Sequence, residues 1–325
     1  MNIRINNKTI TAQDGETLIE TARRAGFNIP SLCYAGDAVH KPSCMICAVK
    51  DCKTGQIIPS CSTMPVEDMQ IDTESPDVVV TRTLSLELLL SDHRADCEAP
   101  CSMVCPHGLD IERMLYFYDN GNMDEAFRLI ATAFPLPELK CTACKIPCEK
   151  VCRRGTVDKP VAIRALIEEI CKRYPSVPVP ENHENGKVDK PSFLSRVGRF
   201  TESEKKRLKE VVTADSRCLH CACAGKKGCK LRQYAGEAGI KRSRYDASSA
   251  LPAMSKQDIG NGLWFEPAKC IKCGLCVYNS ENGFTFKNRG FVMQIVLPPE
   301  NCANINSRLA DLCPTGAIYL GTKNK

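Results

Sequence analysis

Polar and apolar residues alternate at the start of the chain, as expected for short β-strands with one buried face. Residues 2–5 alternate, an Asn-Asn pair follows as a turn, and residues 9–11 predict a returning strand. Over residues 17–25 the apolar positions change to helical spacing, and Gly26 ends that helix. Two strands and a helix followed by a cysteine-bearing loop predict a β-grasp arrangement.

Apolar residues recur at helical spacing over much of residues 78–174. The apolar stripes are Leu84, Leu86, Leu88 and Leu89; Ile111, Met114 and Leu115; Ala126, Phe127 and Ile130; and Ile163, Leu166, Ile167 and Ile170. Residues 175–195 contain four prolines among polar residues and predict an extended linker. A capping box predicts a short helix over about 202–212, and residues 246–325 predict strands and turns.

Cysteine changes this picture most, because the 325 residues include 22 cysteines spread over the whole length. The first 20 residues have no basic start, apolar centre or cleavage site, so no secretory signal is expected. No apolar run approaches the roughly 18 residues of a membrane span. We therefore expect a cytoplasmic protein, in which closely spaced thiols stay reduced and ligate metals rather than forming disulfides.

The formal net charge of +6 does not indicate a nucleic-acid partner. Each oxidised all-thiolate cluster adds a charge of about −2, so four or five clusters bring the loaded protein to about zero or below. One tryptophan and 6% aromatic residues provide no platform on which bases could stack. We expect no nucleic-acid partner.

The first cysteine group has the spacing C-x10-C-x2-C-x13-C and predicts a 2Fe-2S cluster, with four buried thiols or zinc as the alternative. The group is Cys33, Cys44, Cys47 and Cys61, and Cys52 lies outside the spacing as a structural thiol. The segment SLCYAGDAVHKPSCMICAV resembles the N-terminal 2Fe-2S domain shared by the large peripheral subunit of respiratory NADH dehydrogenase, iron-only hydrogenases and NAD-linked formate dehydrogenases.

The second group has two rows with C-x3-C-x3-C spacing, which places successive sulfurs on one side of a helical turn. Two such rows facing each other can hold two 4Fe-4S clusters. The rows are Cys97, Cys101 and Cys105, and Cys144, Cys148 and Cys152, preceded by Cys141. The segments CEAPCSMVCPHGLDI and CTACKIPCEKVCRRGTVDKPVAIRALIEE resemble the helical two-cluster domain of the glutamate synthase small subunit and of dihydropyrimidine dehydrogenase.

This resemblance implies how the ligands divide between two 4Fe-4S clusters. One cluster takes Cys105, Cys144, Cys148 and Glu168, and the other takes Cys97, Cys101 and Cys152. The family's first row has one more upstream cysteine, which this chain lacks. His93, in an H-x3-C opening that resembles the histidine-ligated 4Fe-4S motif of the hydrogenase and NADH dehydrogenase families, and Cys141 are candidates for that ligand.

Two alternatives stay open in this group. The cluster of Cys97 could remain incomplete or take a solvent ligand instead of His93 or Cys141. Glu168 could be an ordinary exposed acid on a helix. Cys171, one turn further along, is expected in the core rather than at a cluster.

The third group is Cys218, Cys221, Cys223 and Cys229, four cysteines within twelve residues. This density in a chain already rich in cluster motifs predicts a further metal centre, either a 4Fe-4S cluster or zinc. His220 lies between two of these cysteines and is expected to be only a neighbour.

The fourth group is Cys270, Cys273 and Cys276, with C-x2-C-x2-C spacing, closed by Cys313 before a proline. It resembles a bacterial ferredoxin motif, in which a loop and a distant cysteine hold one 4Fe-4S cluster. Ser280 stands where a double-cluster ferredoxin would place a further cysteine, so one cluster is expected here. Cys302 has no assigned role.

Motifs for nucleotide binding are missing from the sequence. No G-x-G-x-x-G or P-loop follows a predicted strand, so we expect this chain itself to bind no FAD, FMN or NAD. No Ser-His-Asp or paired-carboxylate arrangement stands apart from the cysteine groups, and no catalytic residue is predicted.

The predicted fold class is α+β. The divisions are 1–77, a β-grasp 2Fe-2S ferredoxin domain; 78–174, an α-helical domain with two 4Fe-4S clusters; 175–213, a linker and short helix; 214–245, a cysteine cluster; and 246–325, a ferredoxin-like 4Fe-4S domain. Because helices and a linker join the two terminal domains, we expect them to contact different partners.

These features predict an electron-transfer subunit with one 2Fe-2S cluster and three or four 4Fe-4S clusters. The subunit relays electrons between a flavoprotein that binds NAD(P) and a further redox subunit of an oxidoreductase complex, with ferredoxin as another candidate partner. The alternatives are a stand-alone reductase with its substrate at an incompletely ligated cluster, and a redox-sensing or cluster-scaffold protein.

Overall fold

A computed structural model describes most of the chain and divides it into two compact units. The described residues are 1–134, 141, 143–174, 218–223, 228–242, 244–245 and 257–321, with isolated positions at 192, 194, 202, 205 and 206. Unit 1 combines both ends of the chain, Met1–Arg94 and Gly225–Lys325, and unit 2 is Ala95–Ala224. The predicted linker and the helix at 202–212 fall almost entirely outside the described residues.

The N-terminal part of unit 1 is a five-stranded sheet with one helix packed against it. The elements are β1 (Asn2–Ile5), β2 (Lys8–Thr11), α1 (Leu18–Arg24), β3 (Ala48–Asp51), β4 (Ile57–Pro59) and β5 (Gln70–Asp72). The sheet order is β2-β1-β5-β3-β4, and β1 and β5 run parallel. Ile3 and Ile5 of β1 are buried with Leu18 and Ile19 of α1, so the predicted strands and helix are confirmed.

Helix α2 (Pro76–Ser91) follows this sheet. Arg82 donates two hydrogen bonds to the carbonyl of Ala48, at 3.0 and 2.7 Å, and thereby joins α2 to β3. The predicted helix is confirmed, but its buried face differs from the predicted stripe, since Leu84 and Leu88 are 41% and 52% exposed. The buried leucines of α2 are Leu86 and Leu90.

Unit 2 consists of short helices around a shared apolar core. The helices are α3 (Pro100–Val104), α4 (Ile111–Asp119), α5 (Met123–Ala133), α6 (Pro147–Lys150) and α7 (Ile163–Lys172), with a 3-10 turn at Arg153–Thr156. The apolar stripes predicted on α4, α5 and α7 supply this core, which also contains Cys171. The cysteine rows lie at or beside α3 and α6, so the core holds these short helices in position.

The C-terminal part of unit 1 is built from two small sheets and short helices. The elements are α8 (Lys230–Glu237), β6 (Gln257–Asp258), β7 (Leu263–Phe265), α9 (Leu275–Tyr278), β8 (Thr285–Lys287), β9 (Gln294–Val296), α10 (Arg308–Leu312) and β10 (Ile318–Leu320), with 3-10 turns at Pro267–Lys269, Gly290–Val292 and Pro299–Asn304. The sheets have the orders β10-β7-β6 and β8-β9. Phe265 and Phe284 meet edge to face in the core between them.

Both ends of the chain contact each other within unit 1. The amide of Asn279 donates to the carbonyl of Val39 at 2.7 Å, and its oxygen accepts from the Val39 backbone N–H at 3.0 Å. Arg308 pairs with Asp37 at 2.9 Å. Neither the hydrophobic pattern nor the cysteine spacing indicates that these two ends pack together.

No helix in the described ranges is both long and apolar enough to cross a membrane. Helices and strands are both present in the described part of the chain, in agreement with a mixed α and β fold class.

Glu16, just before α1, forms an ion pair with Arg24 at the end of that helix. Its carboxylate accepts hydrogen bonds from Arg24 Nε at 2.8 Å and Nη2 at 2.7 Å, and from Thr21 Oγ1 at 3.1 Å. The hydrogen bonds from Arg24 are the main cause that lowers the pKa of Glu16 from 4.5 to about 2. Because this pKa is lower in the folded state, the carboxylate stabilises unit 1 fully above pH 4.5 and progressively less towards pH 2.

We therefore expect Glu16→Gln to lower the free energy of unfolding by about 1 kcal/mol at neutral pH, with a smaller difference in acid. Urea unfolding of the full chain, followed by circular dichroism, measures this difference. Asp14→Asn, which alters an exposed acid in the same turn, is the matched control and should leave the urea midpoint unchanged. Equal midpoints for the two variants at neutral pH would contradict this role of Glu16.

Candidate metal centres

The first cysteine group is buried and its members contact one another. Cys33 follows α1, Cys44 and Cys47 lie in the loop before β3, and Cys61 follows β4. Side-chain hydrogen bonds join Cys33 to both Cys44 and Cys61, and join Cys47 to Cys61. Four convergent buried thiols fit the donor set of a 2Fe-2S cluster.

Hydrogen bonds among these thiols favour the ligating form at two of the four positions. Bonds from Cys44 and Cys61 hold the pKa of Cys33 far below its usual value, and the bond from Cys61 lowers the pKa of Cys47 to about 6. The same bonds, followed by burial, raise the pKa of Cys44 and Cys61. Thiolate is the form that ligates iron, so ligation by all four cysteines would require Cys44 and Cys61 to lose their protons.

Hydrogen bonds and a cation surround the first group. Ser60 Oγ donates to the carbonyl of Cys47 at 2.7 Å, and His40 Nε2 lies 3.1 Å from the carbonyl oxygen of Cys61. Burial lowers the pKa of Arg82, and a thiolate at Cys47 partly offsets this. These contacts orient the ligand loop and place a positive charge beside it, as outer hydrogen-bonding groups do at metal sites.

In unit 2, Cys105, Cys141 and Cys148 lie close together. Burial raises the pKa of Cys148 to about 12, and thiolates at Cys105 and Cys141 contribute. Burial also raises the pKa of Cys141, and negative charges at Cys144, Glu168 and Cys105 raise it further. The structure therefore places Cys141 beside the row of Cys144 and Cys148.

Glu168 lies on α7, half-buried rather than exposed, and its charge reaches Cys141. Arg164, one turn earlier on the same helix, donates its guanidinium to the carbonyl of Cys144 and its backbone N–H to Glu149 at 2.9 Å. The start of α7 is thereby fixed to the second cysteine row. Glu168 as a ligand stays a prediction, and Cys141 occupies the same neighbourhood.

A second set in unit 2 combines cysteines that the sequence assigned to different groups. Cys101, Cys152, Cys218 and Cys221 line one small cavity, together with apolar residues, Glu112 and two arginines. Burial raises the pKa of Cys101, and thiolates at Cys218 and Cys152 add to this. Burial also raises the pKa of Cys221 well above its usual value. Sequence spacing gave no sign that Cys218 and Cys221 meet Cys101 and Cys152.

The remaining predicted ligands lie elsewhere in the described parts of the two units. Cys97 and Cys223 belong to unit 2 and are not among the residues that line this cavity. Cys229 lies in unit 1 before α8, where its sulfur accepts from the backbone N–H of Arg232 at 3.5 Å. His93 is buried in unit 1 just after α2. Ligation by these four residues stays a prediction.

The fourth group surrounds a cavity in the C-terminal part of unit 1. Cys270, Cys273, Cys276 and Cys313 line it together with apolar residues that include Phe265 and Ile295. Burial raises the pKa of Cys270 to about 12 and that of Cys276 well above its usual value. Four cysteines around an apolar space fit the donor set of a 4Fe-4S cluster.

Backbone donors point at two sulfurs of this group. The N–H of Lys272 donates to Cys270 Sγ at 3.3 Å, and the N–H of Ile318 donates to Cys313 Sγ at 3.4 Å. Lys272 has a φ of 58°, in the left-handed region that most residues avoid, and this conformation is part of the ligand loop. Such N–H donors stabilise negative charge on cluster sulfurs.

The described residues contain no group of three or more His, Cys, Asp or Glu side chains placed to share a single metal ion. Instead, four cysteines line each of the two cavities described above, one in unit 2 and one in the C-terminal part of unit 1. This arrangement suits a polynuclear cluster, whose thiolates bind separate iron atoms.

Comparison with known protein families identifies two segments of the chain. Residues 1–76 match a family described as a 2Fe-2S iron-sulfur cluster binding domain, and residues 91–174 match dihydropyrimidine dehydrogenase domain II, 4Fe-4S cluster. The chain therefore contains both 2Fe-2S and 4Fe-4S domains. The resemblances expected for these two segments are confirmed.

Relatives of known identity share about half of the chain. NADP-reducing hydrogenase subunit HndD of Solidesulfovibrio fructosivorans is 30% identical over 47% of this chain and 27% of its own length. The NADH-ubiquinone oxidoreductase 75 kDa subunit of Reclinomonas americana is 26% identical over 48% of this chain and 23% of its own length. The chain thus spans about a quarter of the length of these two relatives.

A solved structure resembles the chain over its whole length. A chain in the crystal structure of an NAD⁺-reducing [NiFe]-hydrogenase in the H₂-reduced state aligns with 100% of this chain and 90% of its own length, at a TM-score of 0.51 and 16% identity. At this identity the likeness concerns the fold alone. The iron-sulfur domains therefore occur in a fold shared with that hydrogenase chain.

We expect Cys141, rather than Glu168, to complete the centre of Cys105, Cys144 and Cys148, because iron-sulfur clusters favour soft thiolate ligands over carboxylate. Cys141→Ser should therefore lower iron by up to about four atoms per chain or shift the potential of one centre, measured by iron analysis and redox titration under paramagnetic resonance. Glu168→Gln is the matched control. Loss of the same centre in Glu168→Gln, with Cys141→Ser unaffected, would establish the carboxylate ligand instead.

Proposed function

We propose that the chain relays electrons between a flavoprotein that binds NAD(P) and a further redox subunit of an oxidoreductase complex. The observation that carries this proposal is the proximity of two cysteine groups in unit 1. Burial, followed by thiolates at Cys270 and Cys313, raises the pKa of Cys273, and the charge of Cys33 adds to this effect. The loops that carry the two groups contact each other, since Asn279 and Val39 exchange two hydrogen bonds, at 2.7 and 3.0 Å. We infer that centres held by these groups exchange electrons directly.

Contacts between the ends of the chain support this pair. Asn279 follows α9, the helix that carries Cys276, and its amide is bonded to Val39 in the loop between Cys33 and Cys44. Lys41 in the same loop lies 5.2 Å from the ring centroid of Tyr278. The two ligand loops are thus fastened to each other, which fixes the separation of the centres that they hold.

The finer architecture follows from the same sites. We assign a β-grasp 2Fe-2S domain to the N-terminal part, a helical two-cluster domain to unit 2 and a ferredoxin-like 4Fe-4S domain to the C-terminal part. When bound, the clusters supply one-electron redox chemistry. The chain supplies thiolate ligands, burial, and the N–H donors of Lys272 and Ile318, which favour the more negative, reduced state.

The relatives support a subunit role beside a partner that uses a nicotinamide. Their names describe subunits of an NADP-reducing hydrogenase and of an NADH-ubiquinone oxidoreductase. A nicotinamide delivers two electrons as hydride, whereas a cluster accepts one at a time, so a flavin must stand between them. We assign that flavin to the partner, because the sequence has no nucleotide-binding motif.

Purification of the tagged full chain from its source under anaerobic conditions tests this function. We expect a flavoprotein to co-purify, and the complex to oxidise NADH or NADPH with an artificial electron acceptor. The flavin-free chain alone, separated from that complex, should show no such activity while its clusters still accept electrons from dithionite. NAD(P)H oxidation by the flavin-free chain at an enzyme-like rate would refute the relay and favour a stand-alone reductase.

A second prediction concerns the two neighbouring centres. In the fully reduced chain, the 2Fe-2S paramagnetic signal should relax faster because of the second paramagnetic centre nearby, and microwave power saturation measures this relaxation. Cys313→Ser, which removes a ligand of the C-terminal group, should return the 2Fe-2S signal to slow relaxation. Cys302→Ser, which alters a cysteine in the nearby 3-10 turn, is the control. Identical relaxation in all three proteins would argue against direct transfer between these centres.

A further inference from the structure

Residues 218–223, hereafter the exit segment, are held in unit 2 by a partly buried ion-pair contact with α4. His220 lies between two carboxylates, with Nδ1 3.0 Å from Glu112 and Nε2 3.1 Å from Asp119. Its backbone N–H donates to Cys218 Sγ at 3.4 Å. His220 has a φ of 45°, and this left-handed conformation turns the chain between Cys218 and Cys221. His220 therefore positions both cysteines without being a ligand itself.

Asp96 anchors the other end of the exit segment. It forms an isolated parallel bridge with Ala222, and its carbonyl accepts from the Cys223 backbone N–H at 2.9 Å. The Asp96 carboxylate also accepts two hydrogen bonds from Arg153, at 2.9 and 3.0 Å. Arg153 directly follows Cys152 in the chain. Asp96 therefore ties the exit segment to the turn that carries Cys152.

The cavity that receives these sulfurs is apolar on most sides and carries two guanidinium groups. Arg153 and Arg154 line it, and Arg154 is only 3% exposed and paired with Asp158 at 2.5 Å. The other lining residues include Pro100, Leu115, Val161 and Ile163. Glu112 also lines the cavity, and both arginines are paired with aspartates. The four sulfurs, rather than the surrounding charges, therefore favour a cluster here.

We infer that Cys101, Cys152, Cys218 and Cys221 together ligate one 4Fe-4S cluster. The exit segment then supplies two ligands of this cluster. The resemblance of residues 91–174 had pointed instead to Cys97, with His93 or Cys141 as the remaining ligand. Cys218 and Cys221 accordingly do not form a separate centre with Cys223 and Cys229. This inference rests on the proposal that the chain is a cluster-bearing relay, and it sets the total near 14 iron atoms per chain rather than about 18.

Single substitutions of the exit-segment cysteines test this ligand set. The full-length variants Cys218→Ser and Cys221→Ser should each lose up to about four iron atoms, or convert one 4Fe-4S centre to a three-iron form with its own paramagnetic signal. Cys97→Ser and Cys223→Ser are matched controls from the same unit and should retain all iron. An unchanged 2Fe-2S signal in each variant shows that unit 1 has folded.

Three results would overturn the inference. One is loss of the same centre in Cys223→Ser or Cys229→Ser as in Cys218→Ser. Another is a wild-type content near 18 iron atoms, which implies a separate centre. The third is one zinc per chain that disappears in Cys218→Ser. Iron content and spectra are measured without a partner protein, so this test stays valid if the relay proposal fails. The NAD(P)H test of the relay likewise does not depend on which cysteines hold this cluster.

Thiol labelling of the wild-type holoprotein tests the same ligand set without any substitution, so a folding defect of a variant cannot account for the result. Controlled oxidation releases clusters, and alkylation followed by peptide mass spectrometry reports which cysteines become reactive together. Cys101, Cys152, Cys218 and Cys221 should gain reactivity with one time course. If Cys218 and Cys221 instead react in step with Cys223 and Cys229, and separately from Cys101, the assignment is wrong.

Discussion

Convergence of buried cysteine side chains on shared pockets is the constraint on which the rest of this structure depends. Burial raises the pKa of Cys101, Cys221 and Cys276, which disfavours the thiolate form at these positions unless a metal shares its charge. These cysteines would hold iron as thiolates, so cluster binding would release their protons. Cluster assembly and the folding of the ligand loops would then be coupled.

Sequence spacing was informative where ligands lie close together in one loop. Cys33, Cys44, Cys47 and Cys61 converge as their spacing predicts, and so do the four cysteines of the C-terminal group. The cavity of Cys101 and Cys218 was not predictable, because its cysteines come from three segments whose meeting depends on packing. Among the described residues, the contacts of His220 and Asp96 and the packing of Cys218 and Cys221 against the core of unit 2 hold those segments together.

Apolar periodicity predicted the helices better than it predicted their buried faces. The stripes on α4, α5 and α7 enter the core of unit 2 as expected. On α2, the predicted stripe contains exposed Leu84 and Leu88, since apolar residues occur on more than one face of that helix. The packing of the two chain ends was equally hidden, because it depends on a few polar contacts such as those of Asn279 with Val39.

The position of Asp96 explains how one chain can build unit 1 from its two ends. The chain enters unit 2 after Arg94 and leaves it after Ala224, and the bridge between Asp96 and Ala222 joins the entry to the exit. A cluster held by Cys101, Cys152, Cys218 and Cys221 would reinforce this closure with bonds much stronger than a single backbone bridge. Residues near the start and the end of unit 2 would then bind one metal centre, so that metal binding would stabilise the fold of unit 2.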